Sequence, residues 1–367
     1  MRILVITPWY PTIAAPVAGV FVKRDTELIS STHDVELVHL VDPALLTDAD
    51  LEADAASEFP VHRVKLRRND PRGLSRAWRV LRPLIESADV VHSHAFPVLL
   101  AFAGRRIRRP WVHSEHWSGV ANPRSFNAQG RLLFRLTSPL LRRPDVVTAV
   151  SSFLLNRVRD HRRGRTMIVP SVVLPVDPTP ARHTADELRL VSVANLVTGK
   201  DPLLAVATVQ ELRRRGIPAS LRWIGDGPLR PDIQESLTRD SGVTLVGSLP
   251  RAGVSGELDA AEIFLLPTRG ETLCLSAIEA ISHGRPVVMG SVGGQRDYIT
   301  DDNGLLVEPR TPGAYADAIV AVAASFDRLT AETVAATVKD RFTPERVLEL
   351  YEAAYTEATR TRKAKKK

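Results

Sequence analysis

The sequence predicts an α/β fold made of two doubly wound, Rossmann-like parallel-sheet domains that face each other across a cleft. Short apolar runs of strand length recur along the chain, a helical pattern follows most of them, and a proline-rich segment interrupts this alternation near the middle. Strands buried on both faces of a parallel sheet are apolar throughout, and helices connect them. Because 367 residues exceed what one core usually holds, two domains are expected.

Each half of the chain contains its own series of strands and helices. In the first half the predicted strands are Ile3–Ile6, Val35–Val41, Val90–His92, Trp111–Val112 and Val146–Val150, and the predicted helices are Thr26–Ser31, Leu74–Ser87 and Phe153–Asp160. In the second half the strands are Leu188–Val193, Ser220–Ile224, Val243–Val246, Ile263–Leu266 and Val287–Met289, and the helices are Leu203–Arg215, Arg230–Arg239, Leu275–Ser282 and Pro312–Ser325.

Proline marks the boundary between the two domains. Pro175, Pro178 and Pro180 form a stiff, non-helical connector. We therefore expect an N-terminal domain at 1–174, a linker at 175–187 and a C-terminal domain at 188–342. Clefts between domains of this kind bind ligands at the carboxyl ends of the strands.

Composition and charge narrow the classes of protein. Cys274 is the only cysteine, so neither an intrachain disulfide nor a cysteine-based zinc site can form, which fits a reducing compartment. The first apolar run ends at Pro8 and favours a strand over a secretory signal, and Phe96–Ala103 is too short to span a bilayer, so a soluble or peripheral protein is expected. The net charge of +7 either attracts phosphates or only keeps the surface solvated. No aromatic stacking set accompanies it, so no nucleic-acid partner is expected.

Residues 269–288 place two carboxylates on an otherwise apolar segment. Glu271 and Glu279 are eight positions apart, and the strand–loop–helix pattern puts Glu271 at a helix entrance and Glu279 about two turns inside. Free N–H groups from Leu273 to Ser276 would bind phosphate there. Eight helical residues rise roughly 12 Å, so the carboxylates could hold hydroxyl groups on both sides of a diphosphate. Alternatively, Glu271 complements the helix dipole and Glu279 is an exposed helix residue.

The second half also contains an ordered set of short motifs. They are Ala194–Lys200, Gly225–Arg230, Pro267–Glu271, Glu279, Gly284–Val288, Gly293–Gly294 and Asn303–Val307. In this order and spacing the set resembles the retaining GT-B glycosyltransferases of family four. The resemblance covers about 188–309 with little interruption, which makes it far more specific than an isolated Gly-x-Gly turn.

The resemblance implies a binding site for a nucleotide-diphosphate sugar donor in the second domain. Glu271 would hold the sugar hydroxyls, Glu279 the ribose, and Lys200 would neutralise the departing diphosphate. Backbone amides at the helix start would hold sugar and phosphate, at Thr272, Leu273, Cys274, Leu275 and Ser276.

Two positions of this donor site depart from the family pattern. Asn195 replaces the usual arginine, so one partner for the diphosphate charge is missing, and our hypothesis is that Arg296 or Lys23 compensates. Cys274 replaces the usual glycine. We interpret it as packing or a pocket wall rather than a nucleophile, because no basic partner lies near it in the sequence.

In the first half the resemblance implies roles for one glycine and two histidines. Gly19 would open the first helix beside the donor phosphates, His116 would face the donor sugar, and His94 would contact sugar or acceptor. Gly19 could instead be an ordinary turn glycine. His92 and His113 are expected to be structural residues, hydrogen-bonded at strand ends. We expect no metal, because a metal site needs three or four converging ligands and Lys200 can serve the leaving group.

The C-terminus and two further segments are rich in charged residues. Residues 343–360 resemble the family's last helix, which crosses back onto the N-terminal domain, and 361–367 form a basic tail. Asp48-Ala49-Asp50 is interpreted as part of a solvated acidic loop. The segment Arg131–Arg143 is either an amphipathic contact with an anionic membrane or a core helix with an exposed basic face.

These features predict a retaining, metal-independent glycosyltransferase of the hexosyltransferase type that needs no cofactor besides its donor substrate. The acceptor would be a glycan or lipid-linked hydroxyl in cell-envelope polysaccharide, glycolipid or related glycoconjugate synthesis. The chain would be cytoplasmic, or peripheral at the inner face of the plasma membrane. The rival hypothesis is a catalytically silent nucleotide-sugar-binding subunit of a glycan-synthesis complex, which Asn195 favours.

Overall fold

The computed structural model describes residues 1–67, 70–180, 187–238 and 240–365. The chain divides into two compact units, of which the first contains Met1–Val172 and Pro344–Lys367 and the second contains Val173–Thr343. Of the predicted linker, 175–180 is irregular chain and 181–186 lies outside the described residues. Arg239, the end of one predicted helix, also lies outside them.

The first unit is built on a seven-stranded parallel sheet with the strand order β3-β2-β1-β4-β5-β6-β7. The strands β1 to β3 therefore extend to one side of the sheet and β4 to β7 extend to the other, so the strand order reverses between β1 and β4, as in doubly wound folds. The strands are β1 (Arg2–Thr7), β2 (Asp34–Val41), β3 (Val61–Lys65), β4 (Val90–His94), β5 (Trp111–Glu115), β6 (Val146–Ala149) and β7 (Arg165–Ile168). The helices are α1 (Val20–Ser30), α2 (Asp48–Ala55), α3 (Pro71–Ser87), α4 (Phe96–Leu99), α5 (Ser118–Ala121), α6 (Ala128–Thr137) and α7 (Ser152–Arg159).

The central strands of this sheet are apolar at their start and polar at their carboxyl ends. Ile3 on β1 pairs with Val35 on one side and Val90 on the other, and all three are buried. Further along, β4 ends with His94 and β5 ends with Glu115, both fully buried. Because parallel strands end at one edge, these polar side chains share the edge where such folds bind ligands.

The second unit has a six-stranded parallel sheet with the order β10-β9-β8-β11-β12-β13. Its strands are β8 (Leu188–Val193), β9 (Ala219–Ile224), β10 (Val243–Gly247), β11 (Ile263–Leu266), β12 (Val287–Gly290) and β13 (Gly304–Val307). Its helices are α8 (Pro202–Arg214), α9 (Arg230–Ser236), α10 (Arg251–Ala260), α11 (Leu275–Ser282), α12 (Pro312–Ala323) and α13 (Ala331–Ala336). The two all-parallel sheets confirm the predicted fold class.

The last helix, α14 (Pro344–Ala364), packs on the first unit. Its buried face includes Tyr351 and Tyr355. The prediction that 361–367 is a basic tail was wrong for its first part, since the helix continues to Ala364 and Arg362 lies 2.6 Å from Asp145. The buried carboxylate of Asp145 requires a cation, and this requirement orders the basic segment. Lys366 and Lys367 lie outside the described residues.

The strands that the sequence analysis missed are edge strands. β3 and β7 flank the first sheet, and β13 flanks the second. β3 reads Val-His-Arg-Val-Lys and is half-exposed, so it lacks the continuous apolar run of a central strand.

The interpretation of Asp48-Ala49-Asp50 as a solvated acidic loop was also wrong. These residues begin α2, and the side chain of Asp50 is buried. Asp50 Oδ2 accepts hydrogen bonds from the backbone N–H and the hydroxyl of Thr47, and Oδ1 accepts one from Ile13 N–H. Thr47 and Asp50 therefore form the capping box at the start of α2.

No helix in the described stretches of the chain is both long enough and apolar enough to cross a bilayer.

Candidate functional site

The loop between β11 and α11 forms the centre of the site in the second unit. Lys200 Nζ donates a hydrogen bond to Glu271 Oε1 at 2.5 Å. Glu271 is nearly buried, with 8% of its side chain exposed, whereas 27% of the Lys200 side chain is exposed. Burial alone would lower the pKa of Lys200, but the charge of Glu271 and the hydrogen bond to it outweigh burial, so the pKa is raised. Lys200 therefore carries its positive charge at neutral pH.

Asp201, which follows Lys200 in the chain, binds two arginines. It has a left-handed backbone (φ 51°) directly after the short 3-10 turn Thr198–Lys200. Its carboxylate accepts hydrogen bonds from Arg269 Nε at 3.1 Å and from Arg310. Arg310 also donates to the carbonyl of Thr268 at 2.7 Å. The sequence analysis missed both Asp201 and Arg310, because neither lies within a motif that it used.

These contacts give the site an excess of positive charge. Lys200, Arg269 and Arg310 face two carboxylates, those of Asp201 and Glu271. An unbalanced cluster of cations next to a helix start attracts a phosphate group.

The beginning of α11 supplies backbone donors to the same region. The helix starts at Leu275, so the N–H groups of Leu275 and Ser276 lie in the first turn, where no intrahelical acceptor exists. Tyr298 Oη donates to the carbonyl of Leu273 at 2.8 Å and to that of Cys274 at 3.2 Å. The hydroxyl has one proton, for which the carbonyl of Leu273 is the nearer acceptor, and the carbonyl of Cys274 also accepts Ile278 N–H at 3.4 Å.

Glu279 lies on the less buried face of α11. Leu275, Ser276 and Glu279 are half-buried, while Ala277 and Ile278 are fully buried. Residues four apart are stacked on one helix face, so Glu279 lies one turn below the first-turn amide of Leu275. Thr272 lies in the loop before the helix and is half-buried as well.

The backbone of Cys274 explains why glycine would be natural at this position. Cys274 has a φ of 71°, in the left-handed region that disfavours side chains, and it immediately precedes α11. Its thiol is buried, which raises its pKa to about 12, and Sγ contacts the hydroxyl of Ser276 at 3.7 Å. A thiol with this pKa is not a nucleophile at neutral pH.

A glycine turn holds the backbone of Glu271. Gly294 N–H donates to the carbonyl of Glu271 at 3.1 Å. Gly293 has a φ of 108°, and a Cβ atom there would lie 2.1 Å from the same carbonyl oxygen. The turn can approach Glu271 this closely only because Gly293 has no side chain.

Asn195 is exposed in the loop after β8. Arg296, one residue that we expected to compensate for the missing arginine, donates to Ser291 at 2.8 Å and pairs with Glu308 at 3.3 Å. Lys23, the other, belongs to the first unit and pairs with Glu27 at 3.6 Å. Arg269 and Arg310 are the two arginines that pair with Asp201, the residue next to Lys200.

In the first unit, His94 and His116 are brought together at the carboxyl edge of the sheet. His94 Nδ1 lies 3.2 Å from His116 Nε2, and the two rings are stacked at 5.4 Å. Phe21 of α1 packs against His116 with 4.8 Å between ring centroids. Burial, aided by repulsion from neighbouring histidines, lowers the pKa of His116 to about 3 and that of His94 well below 6.5. Both imidazoles are therefore neutral at pH 7.

Gly19 positions α1 next to these histidines. It has a φ of 70° immediately before the helix, and a Cβ atom there would lie 2.4 Å from the carbonyl of Trp9. The close approach to the loop after β1 thus requires glycine. Two residues later, Phe21 reaches His116.

His92 and His113 have the hydrogen-bonded environments expected of structural histidines. His92 contacts the hydroxyls of Tyr355 at 2.8 Å and Ser114 at 2.7 Å. His113 contacts the hydroxyl of Ser93 at 2.9 Å and Glu115 at 3.3 Å. Both ring nitrogens of each histidine are therefore occupied.

Asp25 is a buried acid of the first unit that the sequence analysis missed. Tyr351 Oη donates to Asp25 Oδ2 at 2.8 Å, and burial raises the pKa of Asp25 to about 7. Asp25, His94 and His116 each offer a ligand atom within 4.8 Å of the other two. The signal was present, because Asp25 lies between Val22 and Ile29 on the buried face of α1, where a lone carboxylate needs a partner.

Each unit also contains a cavity. In the first unit a cavity of about 440 Å³ has a mixed lining, in which apolar residues accompany Tyr10, Thr12, Lys23, Glu27 and Arg63. In the second unit a cavity of about 570 Å³ lies among 173–178 and 332–343, and none of the predicted site residues lines it.

Two family models match the chain, one in each half of the sequence. Residues 187–325 match the family model described as "Glycosyl transferases group 1", and residues 26–175 match that described as "Glycosyltransferase Family 4". A D-inositol 3-phosphate glycosyltransferase of Geodermatophilus obscurus is 29% identical over 309 residues, which are 74% of this chain and 66% of that protein. A 2-deoxystreptamine N-acetyl-D-glucosaminyltransferase of Streptomyces fradiae is 27% identical over 323 residues, covering 78% of this chain and 74% of that protein.

Solved structures with a similar fold cover almost the whole chain. A sucrose-phosphate synthase from Thermosynechococcus elongatus has a TM-score of 0.76 at 18% identity, over 97% of this chain and 99% of that one. The HepE protein of Anabaena, solved with UDP and glucose, has a TM-score of 0.73 at 16% identity over the same shares.

Proposed function

We propose that this chain, which belongs to the group 1, family 4 glycosyltransferases and has their GT-B fold, transfers a sugar from a nucleotide-diphosphate donor to a hydroxyl acceptor with retention at the anomeric carbon. The observation that carries this proposal is the Lys200–Glu271 ion pair next to the start of α11. It combines a charged donor for a phosphate, a carboxylate for sugar hydroxyls and first-turn amides in one small region.

The positive charge around Asp201 supports binding of the diphosphate. Lys200 can contact a phosphate oxygen while Arg269 and Arg310 raise the local potential. The proposal therefore assigns to these arginines the charge that the family's usual arginine would supply at Asn195.

The carboxylates are proposed to hold the two ends of the donor. Glu271 would accept hydrogen bonds from hydroxyls of the transferred sugar, and Glu279 from the ribose. A site that pairs with hydroxyl groups discriminates strongly against ligands that lack them, because its buried polar atoms are then left unpaired. Thr272, Leu273 and Cys274 would contribute backbone contacts between these two ends.

The proposed chemistry is the departure of a diphosphate. The bond between the anomeric carbon and the diphosphate oxygen breaks, the acceptor oxygen forms the new bond, and the acceptor hydroxyl gives its proton to the departing diphosphate. Negative charge develops on the leaving group, where Lys200 and the first-turn amides of α11 stabilise it. We propose that this transfer needs no metal ion and no cofactor.

The acceptor is proposed to bind to the first unit. His116 is neutral and nearly buried, so it can offer a hydrogen bond to the transferred sugar without adding charge. His94, in contact with His116, would orient its ring. The cavity whose lining includes Lys23, Glu27 and Arg63 is the proposed place for a hydroxylated acceptor.

A surface of α6 supports a lipid-linked acceptor at an anionic membrane. Leu132, Leu133 and Leu136 are 54 to 69% exposed, Arg131 and Arg135 are exposed beside them, and Phe134 is the buried residue of this helix. The alternative of a core-packed segment keeps the support of Phe134 and Leu141, which are buried in the same stretch. Exposed leucines flanked by arginines are typical of helices that lie in a membrane interface.

Flotation of the full chain with vesicles tests this membrane surface. We expect co-flotation with vesicles that contain anionic lipid, and its loss in a Leu132→Ser, Leu133→Ser, Leu136→Ser variant that unfolds at the wild-type temperature. Absence of the wild-type chain from the anionic vesicle fraction would reject membrane binding and leave the transferase proposal intact. Cell-envelope polysaccharide or glycolipid synthesis is the setting that this surface supports.

Thermal unfolding with UDP, GDP, ADP and CDP tests the donor site. A ligand at a hundred times its Kd stabilises the folded state by about 2.7 kcal/mol, which raises the Tm by several degrees. UDP is the first candidate because the HepE structure holds it. A shift with one nucleotide that Glu279→Gln abolishes supports the proposal.

Turnover separates the enzyme from the catalytically silent subunit. A chain that binds a nucleotide sugar but transfers nothing to any acceptor, and does not hydrolyse the donor, would favour the silent subunit. Absence of a Tm shift with all four nucleotides would contradict both.

A further inference from the structure

We propose that Asp25, His94 and His116 form a binding site for a divalent transition-metal ion, for which zinc is the best match. This site lies in the first unit and is not part of the proposed transfer chemistry, which uses no metal. Its ligand set combines two imidazoles with one carboxylate, all nearly or fully buried.

The distances fit a zinc ion. One ligand atom from each of the three residues lies within 4.8 Å of the other two. His94 Nδ1 and His116 Nε2 are 3.2 Å apart. Two ligands at 2.0–2.1 Å from a tetrahedral zinc are themselves about 3.3 Å apart. The two nitrogens, which share one N–H···N hydrogen bond, have the separation that a zinc ion in place of that proton would require.

Unsatisfied polar atoms point to a missing partner at this place. Asp25 Oδ1 and His94 Nε2 are buried and have no hydrogen-bond partner among the described residues. Buried polar groups in native proteins are almost always satisfied. A cation bound to His94 Nδ1, His116 Nε2 and Asp25 Oδ1 would give the carboxylate oxygen its partner, while His94 Nε2, on the far side of the ring, would carry the proton.

The kind of ligand selects the kind of metal. Imidazole nitrogens suit zinc and its neighbours, whereas magnesium and calcium prefer oxygen ligands. Three protein ligands with a fourth position open is the arrangement of reactive zinc sites. Of the three ligands only His116 retains measurable exposure, at 8%.

Neighbouring groups orient the ligands as they do in known metal sites. Tyr351 donates to Asp25 Oδ2 at 2.8 Å, which leaves Oδ1 for the ion. The ring of His92 packs on His94 at 4.1 Å, and Glu115 Oε1 accepts a hydrogen bond from the backbone of His116 at 2.9 Å. Such outer contacts fix ligand geometry and are part of a functional metal site.

Occupation of the site would withdraw His116 from the donor sugar. Zinc is therefore expected to inhibit transfer, and this consequence rests on the proposed function, whereas the binding itself does not. The site would make the first unit responsive to free zinc.

Metal titration of the full chain tests the binding directly. The chain is freed of metal with a chelator and titrated with Zn²⁺, and with Co²⁺, whose visible absorption reports tetrahedral coordination. We expect one ion per chain, and at least a tenfold weaker affinity in Asp25→Asn and in His94→Gln. His283→Gln is the matched control, because His283 pairs with Asp259 at 2.8 Å but belongs to no group of three metal ligands in the described chain.

Equal affinity of the wild type, Asp25→Asn and His94→Gln would overturn the proposal, as would the absence of stoichiometric binding. X-ray absorption of the zinc-loaded wild type needs no variant and guards against variants that fail to fold. It should count two imidazole ligands, and a count of none or one would equally reject the site.

Inhibition assays keep this proposal separate from the function. If the chain transfers sugar, we expect Zn²⁺ to inhibit the wild type and the His283→Gln control at the concentration at which it binds, and at least tenfold more to be needed for Asp25→Asn. Inhibition of all three chains at the same concentration would contradict the inhibitory consequence. A chain with no turnover contradicts the proposed function, while the spectroscopic result still decides whether the metal site exists.

Discussion

The carboxyl edges of the two sheets carry opposite kinds of polarity. In the first unit the edge presents buried imidazoles, those of His94 and His116, whose pKa values lie below neutrality. In the second unit it presents Lys200, whose pKa is raised, beside Glu271. The edge of the first sheet presents neutral imidazole groups, and the edge of the second sheet presents an ion pair.

The difference follows from what surrounds each group. His116 is buried next to His113, so burial and then repulsion from a second imidazole oppose a proton on its ring. Lys200 is also largely enclosed, but its hydrogen bond to Glu271 keeps the proton. In the proposed reaction the negatively charged leaving group would use the second kind of edge, and the reacting sugar would meet the first kind.

The largest expected effect concerns the charged edge. Lys200→Met should reduce turnover by about 10²–10³-fold, because it removes a preorganised charge from the leaving group. Steady-state kinetics with a nucleotide-sugar donor measures this, and Lys200→Arg should retain part of the activity. Lys339→Met, an exposed lysine of the same unit, is the control and should act like the wild type. Wild-type turnover in a folded Lys200→Met chain would show that the ion pair is only structural.

The neutral edge should matter less for catalysis. His116→Asn should reduce kcat by about 10²-fold, since it removes a hydrogen bond at the reacting sugar. Because the histidine is neutral, kcat of the wild type should not fall between pH 8 and pH 6 through protonation of this residue. His161→Asn, at a half-exposed histidine of the same unit, serves as the control. Unaltered kcat in His116→Asn would remove His116 from the proposed mechanism.

The neutral edge should instead control stability against acid. The folded-state pKa of His116 is depressed to about 3, so its contribution to stability is present above the unfolded-state value near 6.5 and is lost as the pH falls below it. His92 and His94 act in the same direction, while Asp25, whose pKa is raised, opposes them.

Urea unfolding at pH 6.5 and pH 5 measures this loss. The free energy of unfolding of the wild type should fall more steeply than that of His116→Asn, by about 1.4 kcal/mol per pH unit. Parallel pH profiles for the two chains would show that the ring is already protonated in the folded state.

The smallest expected effect concerns the backbone of Cys274. At most positions a protein with glycine is less stable than the same protein with alanine. At a φ of 71° this order should reverse, because only glycine adopts that backbone without strain. We expect the free energy of unfolding of Cys274→Gly, measured with urea, to exceed that of Cys274→Ala by about 1 kcal/mol. A more stable alanine variant would mean that the loop before α11 adopts another backbone in solution.

The central strands and the charged edge could be predicted from the sequence for a physical reason. β1 and β11 are buried on both faces, so their apolar runs identify them, and Glu271 stands out on such a segment. β3 and β7 escaped prediction because they are short edge strands that mix polar with apolar residues and contain no continuous apolar run. Pairings that are distant in the sequence escaped it too.

Asp25 illustrates the limit at the neutral edge. It meets Tyr351, which is 326 positions further along the chain, and no local pattern reveals such a contact. The same holds for Arg310, which reaches Asp201 across 109 positions. The residues that belong to short motifs were found, and those that complete the two edges through folding were not.

The most direct test of the charged edge is calorimetric titration of the full chain with a nucleoside diphosphate and with its nucleoside. Lys200→Met should weaken the diphosphate by at least tenfold and leave the nucleoside unchanged, because the lysine is assigned to the phosphates. Glu279→Gln should weaken both ligands, because it is assigned to the ribose. Undiminished affinity of Lys200→Met for the diphosphate would contradict the assignment of the second unit's charge to the donor.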